Sequence, residues 1–520
     1  MKKISRTRLL SLMLALVMML GLVACGGTQP EEEAPVEDEV VEEPAKERVL
    51  RMDGMANSGY PAPHTSSAKG AGYAMVQYIF DTLVWKNEDG FFNYLAESYS
   101  VSDDNLTYTF KLREGVKWND GQPFTAEDVK FTFDYMAVHP YSWVNTGKVK
   151  EVRVVDELTV EIELKEIYVA FIADIAANLP IIPKHVYEKV EDPTTYTEPD
   201  AFVGTGPMML ESYSADTAIY TFVKNPNYFY GDVQIDRLIL SQYDDPKTAL
   251  LNGELDVSTT TSFKQAMSMQ GEENITVLDG QSLWVCRLFI NFDDPALATK
   301  EVRQAMAYAT NKENIVALAQ AGKGSAADSF FHPELFVNAS APDVVFNYDL
   351  DKAKALLAEA GYPNGEGIPT LKLETMETHQ QFALAVQQDY AELGINVELV
   401  FTDANTFVGD LASGNYDLAI NVAGLSNFVY PWGRIFESQY LGQTNFAQVN
   451  DPVIDELFAK IGVTMDDEEQ KALIHELINY ITENVTYLPL AYANNNVAYA
   501  KDLVLDVHPM SADPYYMHWA

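Results

Sequence analysis

Cysteine is scarce in this sequence: Cys25 and Cys286 are the two among 520 residues. Cys25 lies in an N-terminal, leader-like segment, whereas Cys286 lies in an apolar, strand-like run that is typical of a buried core residue. We therefore expect no internal disulfide, which excludes a small disulfide-stapled fold. At 520 residues the chain is too long for one hydrophobic core, so we predict two or three domains.

Positive charge is also scarce, since 35 Lys and Arg residues stand against 76 Asp and Glu residues, a net charge of −41. Binding to nucleic acid requires cationic side chains that neutralise phosphates, so this balance excludes nucleic acid as a partner. An excess of one sign keeps a protein soluble and separate from its copies, so we expect a soluble monomer.

Sequence motifs typical of catalytic and metal-binding sites are lacking too. The eight histidines are scattered singly, which argues against a dedicated metal site. Segment 424–428 lacks the second glycine of a hydrolase nucleophile elbow, and segment 475–479 lacks the second histidine of a zinc-protease helix. We predict that the protein is not an enzyme and has no catalytic residues, no metal site and no cofactor.

The N-terminus has the features of an export signal. Basic residues precede an apolar run over residues 9–23, which is shorter than the roughly 20 residues that span a membrane. Residues 22–25 read LVAC and resemble a bacterial lipobox. We predict a lipoprotein signal peptide over residues 1–24, lipidation of Cys25, and an extracytoplasmic, membrane-anchored location. The alternative is ordinary signal cleavage near Ala24.

A tether follows the signal. Residues 25–47 are rich in Glu and Pro and almost devoid of large apolar side chains, so they cannot bury enough surface to offset the entropy of ordering. We predict an acidic, disordered linker.

The first half of the remaining chain reads mainly as strands. Residues 106–112 and 158–164 alternate apolar and polar side chains with a period of two. Between them, Thr125 and Asp128 have the spacing of a capping box, which predicts a helix running to about Met136.

The second half alternates helices and strands. The predicted helices are 301–318, 349–360, 379–393 and 405–412; the predicted strands are 371–376, 395–401, 416–422 and 485–499. The strand–helix–strand order over 371–401 implies parallel strands. Ligands bind beyond the carboxyl ends of such strands, which here are 376–379 and 423–428.

The segment 118–131, WNDGQPFTAEDVKF, closely resembles the signature of the extracellular solute-binding proteins of family 5, which serve ABC importers of oligopeptides, dipeptides and nickel. Further segments resemble the family in the correct order: 80–83, 95–98, 110–113, 204–207, 253–257, 302–305 and 394–397. The resemblance covers about residues 48–510.

The resemblance implies a two-lobed α/β fold of the periplasmic-binding-protein type II, with an extra β-rich subdomain inserted in lobe 1. Its crossing strands map to about 288–291 and 489–493. The domains it implies are 48–71, 180–288 and 491–520 for lobe 1, 72–179 for the accessory subdomain, and 289–490 for lobe 2.

The resemblance also implies a ligand loop after strand 416–422, where many peptide-binding members carry an aspartate that binds the peptide's α-ammonium. Asn427 stands at that position here, with Leu425 and Tyr430 in place of a tryptophan and a second aspartate. An amide lacks the charge that strengthens such a bond, so the ligand could be N-blocked, uncharged or not a peptide. The candidate ligand-binding residues are Tyr60, His64, Trp284, His379, Gly424, Ser426, Asn427, Phe428, Tyr430, Trp432 and Arg434.

We therefore interpret the chain as the substrate-binding subunit of an ABC importer, which captures a peptide or similar small solute by lobe closure and delivers it to permease and ATPase subunits. One alternative is a ligand sensor or adhesion lipoprotein with the same fold. Another is an importer subunit for a non-peptide ligand, such as an oligosaccharide or a nickel chelate.

Overall fold

A computed structural model of the chain describes residues 47–53, 57–66, 71–87, 90–141, 144–259, 263–424, 428–505 and 517–519. The chain divides into two compact units, Met1–Lys46 and Glu47–Ala520, and all described residues belong to the second unit. The predicted signal peptide, Cys25 and nearly all of the predicted tether lie outside the described residues, as do Ser426 and Asn427.

Strands dominate the first half of the described chain. They are β1 Val49–Asp53, β2 Val84–Asn87, β3 Gly90–Asn93, β4 Ala96–Val101, β5 Thr107–Leu112, β6 Val149–Asp156, β7 Thr159–Leu164, β8 Met208–Ser214, β9 Ile219–Lys224, β10 Arg237–Leu240 and β11 Val257–Ser258. The helices of this half are Ala71–Gln77, Ala126–Val138, Lys184–Tyr187, Pro246–Asn252 and Phe263–Met269.

Helices are longer in the second half. Its strands are β12 Ile275–Ile290, β13 Ser325–Ala326, β14 Leu371–Met376, β15 Val397–Thr402, β16 Leu418–Ala423, β17 Leu488–Ala500, β18 Leu503–Leu505 and β19 Met517–Trp519. Its helices are Lys300–Ala309, Lys312–Ala319, Leu350–Glu359, Gln380–Glu392, Ala404–Ser413, Pro452–Val463 and Asp467–Glu483.

Two long strands join the halves. β12 and β17 pair antiparallel from Ile275 opposite Ala500 to Leu288 opposite Leu488, inside one large sheet of order β15-β14-β16-β12-β17-β11-β1-β10-β9-β8. The pairing is irregular between Gly280 and Trp284. Separate hydrophobic cores flank this crossing. One collects residues from Leu50 to Val257 together with Val497, Leu503 and Met517, and two others collect residues from Val285 to Ala491.

The first core extends under a second sheet, β4-β5-β7-β6, which is covered by helix Ala126–Val138. The predicted capping box starts this helix, because the Thr125 amide donates to the Asp128 carboxylate over 2.9 Å. Trp118 of the signature segment is fully buried beside this helix start. A Cβ on Gly204 would lie 1.9 Å from the Ile79 carbonyl oxygen, so the 204–207 segment is a tight backbone contact.

The predicted strand–helix–strand unit of the second half is present. β14 pairs in parallel with both β15 and β16, and helix Gln380–Glu392 connects β14 to β15. This topology brings the carboxyl ends of β14 and β16 to the same edge of the sheet.

The predicted single helix over 301–318 is wrong, because Thr310 and Asn311 break it in two. The Asn311 side chain accepts a hydrogen bond from the Asn314 amide and so caps the second helix. The Asn311 amide donates to the Asp389 carboxylate instead of continuing the first helix. The last long strand also begins later than predicted, at Leu488, because Val485 adopts a positive φ of 47°.

Candidate functional site

The chain from Phe428 onward lies where the two halves of the molecule meet. Gly424 is the last described residue before residues 425–427, and Phe428 resumes the described chain in a parallel bridge with Val337. A 3-10 turn, Tyr430–Ile435, follows. Trp432 anchors this turn in the second-half core with 1% of its surface exposed.

A cluster of aromatic rings packs against the Trp432 side chain of this turn. The ring of Trp432 lies 5.1 Å from that of Phe330, and the Arg287 guanidinium carbon lies 5.2 to 5.3 Å from the rings of Phe289, Phe330 and Trp432. Burial lowers the pKa of Arg287 to about 10. These cation–π contacts stabilise the packing of Trp432, which belongs to the same turn as Tyr430 and Arg434.

Phe428 makes an apolar contact with the first half. Its ring lies 5.4 Å from that of Phe91 on β3, and the Lys86 ammonium on β2 lies 5.6 Å from the centroid of each ring. Burial lowers the pKa of Lys86 to about 8. We call this group, Lys86, Phe91 and Phe428, the aromatic contact.

Tyr430 makes a second contact across the same boundary. Its ring lies edge-on to Tyr168 at 5.3 Å, and the Val169 amide donates to the Gly462 carbonyl oxygen over 3.0 Å. A Cβ on Gly462 would lie 2.2 Å from a Tyr430 ring carbon, so glycine is needed for the ring to fit.

A pocket of about 140 Å³ opens beside Tyr430, with walls from both halves. The first half contributes Asn145, Lys148, Tyr168 and Asp174; the second contributes Tyr430, Pro431, Arg434, Glu437, Tyr440, Gln443 and Thr444. We call this space the seam pocket.

Asp174 and Arg434 are the opposing charges of the seam pocket. The Tyr168 hydroxyl donates to the Asp174 carboxylate. Burial raises the pKa of Asp174, and the Tyr168 hydrogen bond and the Arg434 charge oppose that rise. Burial lowers the pKa of Arg434, which the Asp174 charge opposes. The two groups therefore attract each other across the boundary between the halves.

A second pair of charges lies at the rim of the pocket. Lys148 forms a salt bridge with Glu166, and Glu437 accepts a hydrogen bond from the Gln439 side chain over 2.9 Å. Burial raises the pKa of Glu437. The pocket thus combines two acids, two bases and three tyrosines, which suits a polar group that carries both charges.

The remaining predicted residues are not among the described residues that line the seam pocket. In the first half, the Tyr60 ring lies 4.8 Å from that of Tyr213, and His64 Nε2 lies 2.9 Å from the His139 carbonyl oxygen. Trp284 is 38% exposed on β12. Burial lowers the pKa of His379, just beyond β14, to about 4, so it is neutral at pH 7.

Sequence reasoning missed Tyr168 and Asp174, which stand opposite the predicted Tyr430 and Arg434. A signal was present, because Asp174 interrupts the apolar stretch Phe171–Ala176, where a carboxylate among apolar side chains calls for an explanation. The sequence offers no cue that this stretch meets the segment after β16.

Comparison with known proteins identifies the family. The model of the bacterial extracellular solute-binding proteins, family 5 (middle region), matches residues 91–445. The chain belongs to this family.

Relatives of known name differ in what they bind. The chain is 29% identical over 439 residues to heme-binding protein A of Haemophilus influenzae, covering 77% of this chain and 78% of that protein. It is 31% identical over 336 residues to the dipeptide-binding protein of Escherichia coli, covering 59% and 62%. The crystal structure of the ABC transporter substrate-binding protein CtaP of Listeria monocytogenes superposes with a TM-score of 0.79 at 25% identity, covering 91% and 99%.

Family membership confirms the predicted two-lobed type II fold and the predicted role as an extracellular solute-binding subunit of an ABC importer. The part of the molecule built around the first hydrophobic core is accordingly called lobe 1, and the part built around the two other cores is called lobe 2. Within the described part of the chain, no helix combines the length and apolar character needed to cross a membrane.

Proposed function

We propose that this protein binds a small peptide or peptide-like solute between its lobes and passes it, chemically unchanged, to its permease. The observation that carries the proposal is the seam pocket, whose polar walls come from Tyr168 and Asp174 on one lobe and from Tyr430 and Arg434 on the other. A solute that touches both walls stabilises the closed arrangement and not the open one, which is the physical basis of capture by closure.

The size of the pocket favours binding of one end of a solute. Because sites that enclose a whole drug-sized ligand span about 300–1,000 Å³, a pocket of about 140 Å³ takes only part of a peptide. That volume suits a terminal residue with its charged group, and the rest of a longer solute would extend along the boundary between the lobes. The similarity to a dipeptide-binding protein supports a peptide as the solute. Because another relative is a heme-binding protein, heme must also be tested as a ligand.

A binding screen tests the function. Di- to hexapeptides, free and N-acetylated, are compared with oligosaccharides, nickel with histidine, and heme by titration calorimetry of the purified protein. We expect at least one peptide to bind and to reduce the radius of gyration measured by X-ray scattering. Binding of heme, nickel or an oligosaccharide alone would refute the peptide assignment, and product formation would refute the binding role.

The organisation of the chain belongs to the same proposal. We infer lobe 1 over 48–71, 180–288 and 491–520, the accessory subdomain over 72–179 and lobe 2 over 289–490. Supporting this division, Val497, Leu503 and Met517 belong to the hydrophobic core of the first lobe. We infer a monomer anchored through lipid on Cys25, at the end of a signal peptide over residues 1–24; mass spectrometry of the N-terminal peptide from membranes tests the anchor.

A further inference from the structure

We propose that the segment 72–179 of lobe 1 carries a latch, a set of contacts to lobe 2 that stabilises the closed arrangement by the same amount for every solute. The latch consists of Lys86, Phe91, Tyr168 and Val169 on lobe 1 and of Phe428, Tyr430 and Gly462 on lobe 2. The inference rests on the function proposed above, since it requires lobes that close. It goes beyond that function by assigning part of the affinity to residues that need not touch the solute.

The lobe 1 side of the latch comes from two places in one segment. Lys86 and Phe91 are paired opposite each other on strands β2 and β3. Tyr168 and Val169 follow the end of β7. All four residues lie within 72–179, the segment that we infer to be the accessory subdomain. The latch therefore joins this subdomain, in particular, to lobe 2.

The lobe 2 side of the latch is tied to the body of that lobe. Tyr430 packs against hydrophobic cores of both lobes, so it lies where they meet. Gly462 belongs to helix Pro452–Val463, which packs into a core of lobe 2. Phe428 forms a parallel bridge with Val337. A movement of lobe 2 as a rigid body would therefore break the contacts of the latch together.

The accessory subdomain is fixed to the rest of lobe 1. The Gly206 amide donates to the Ile79 carbonyl oxygen over 2.8 Å, and the Asn119 amide donates to the Gly204 carbonyl oxygen over 2.9 Å. The subdomain and the rest of lobe 1 also share one hydrophobic core. Because the subdomain moves with lobe 1, its contacts with lobe 2 act on the angle between the lobes.

The contacts of the latch join protein atoms to protein atoms. An aromatic pair and a main-chain hydrogen bond each stabilise a packed arrangement modestly, whatever occupies the rest of the boundary. The affinity for a solute that binds the closed arrangement is proportional to the fraction of molecules that are closed. The latch therefore raises the affinity for all solutes by one common factor, whereas a residue that touches the solute favours some solutes over others.

Exchange of the Val169 amide hydrogen reports the latch with no solute added. This amide donates to the Gly462 carbonyl oxygen across the boundary, so opening of the lobes exposes it to solvent. The test variant is Phe91→Ala, because Phe91 is not among the described residues that line the seam pocket. We expect faster exchange in the free variant than in the free parent protein. Mass spectrometry with fragmentation to single residues measures the rate.

Titration calorimetry with di-, tri- and hexa-alanine measures the effect on binding. Phe91→Ala should weaken the binding of each peptide by one common factor. Loss of one aromatic pair divides the closing equilibrium constant by about 2 to 10. The loss is shared between the two measurements, so the factor for exchange multiplied by the factor for binding should also be about 2 to 10.

Two further variants make the test specific. Phe92→Ala is the matched control on the same strand: the Phe92 ring packs near other rings of lobe 1, so exchange and binding should match the parent protein. Phe428→Ala removes the aromatic contact from the side of lobe 2 and should repeat the effect of Phe91→Ala. Because both changes remove the same contact, the double variant should behave like either single variant.

Three outcomes overturn the inference. No change in exchange or in any affinity would show that the contact does not stabilise closure. Unequal weakening of the peptides would place Phe91 in contact with the solute. An equal effect of Phe92→Ala would assign the change to the strand and not to the latch, and the proposed function stands in all three cases. If no alanine peptide binds, the exchange measurement alone decides whether the latch exists, and the wider screen decides the peptide function.

Discussion

The lobes meet in two ways that differ in chemistry. At the aromatic contact, Phe428 packs on Phe91 beneath the Lys86 ammonium and fills the boundary with protein atoms. At the seam pocket, Asp174 of one lobe and Arg434 of the other line the same space. The first contact consists of packed rings, whereas the second borders a pocket of about 140 Å³. Direct packing between the lobes and the space for part of a solute therefore lie at separate parts of the boundary.

The largest effect is expected from truncating a buried ring in the turn next to both contacts. Trp432 belongs to the same turn as Tyr430 and Arg434, and its side chain is 1% exposed. Trp432→Ala should lower the free energy of unfolding by about 3–5 kcal/mol, because it removes a large buried ring from a packed core. Denaturant unfolding measures the loss. Trp284→Ala is the matched control: Trp284 is 38% exposed, so its loss should be within about 1 kcal/mol. Similar losses for both would contradict the assigned burial.

A smaller effect is expected from disturbing the seam pocket alone. In Gly462→Ala the new Cβ would lie 2.2 Å from a Tyr430 ring carbon, so the ring must move. We expect about 1–3 kcal/mol of destabilisation, typical of overpacking, and weaker peptide binding by calorimetry. Gly409→Ala, on helix Ala404–Ser413 with no atom within 4 Å of its Cβ, should be neutral or slightly stabilising. If both variants behave alike, the close fit at Gly462 has no energetic consequence.

A third effect is expected at the aromatic contact, and it depends on pH. Burial lowers the pKa of Lys86 from 10.5 to about 8, so the folded protein binds fewer protons than the unfolded chain between these values. Stability should therefore rise with pH above about 8, by at most about 1.4 kcal/mol per unit. Below pH 8 the cost of burying the charge is fully present.

Lys86→Met isolates this contribution. Unfolding of the variant and the parent protein is measured from pH 7 to pH 10, and the rise should be present in the parent and absent from the variant. A rise of equal size in both proteins would assign the pH dependence to other groups.

Local signals in the sequence predicted much of the fold. The Thr125–Asp128 capping box and the strand–helix–strand order over 371–401 depend on neighbouring residues, and both are present. The break at Thr310–Asn311 has a local cause, the Asn311 cap of the second helix, which the sequence reading missed. Its other cause is distant in the chain, because the Asn311 amide donates to the carboxylate of Asp389.

The candidate site was predicted only in part, because many of its contacts join residues that are distant in the chain. Phe428, Tyr430 and Arg434 lie at the boundary between the lobes, in the segment that the family resemblance indicated. Their partners Phe91, Tyr168 and Asp174 could not be predicted, because the juxtaposition depends on how the lobes close.

The hydrogen bond from the Val169 amide to the Gly462 carbonyl oxygen involves no side chain. Substitutions that change the side chains lining the neighbouring pocket can leave this main-chain hydrogen bond intact. A change of solute specificity, by evolution or in the design of a biosensor, is therefore separable from the contact between the lobes in the closed arrangement.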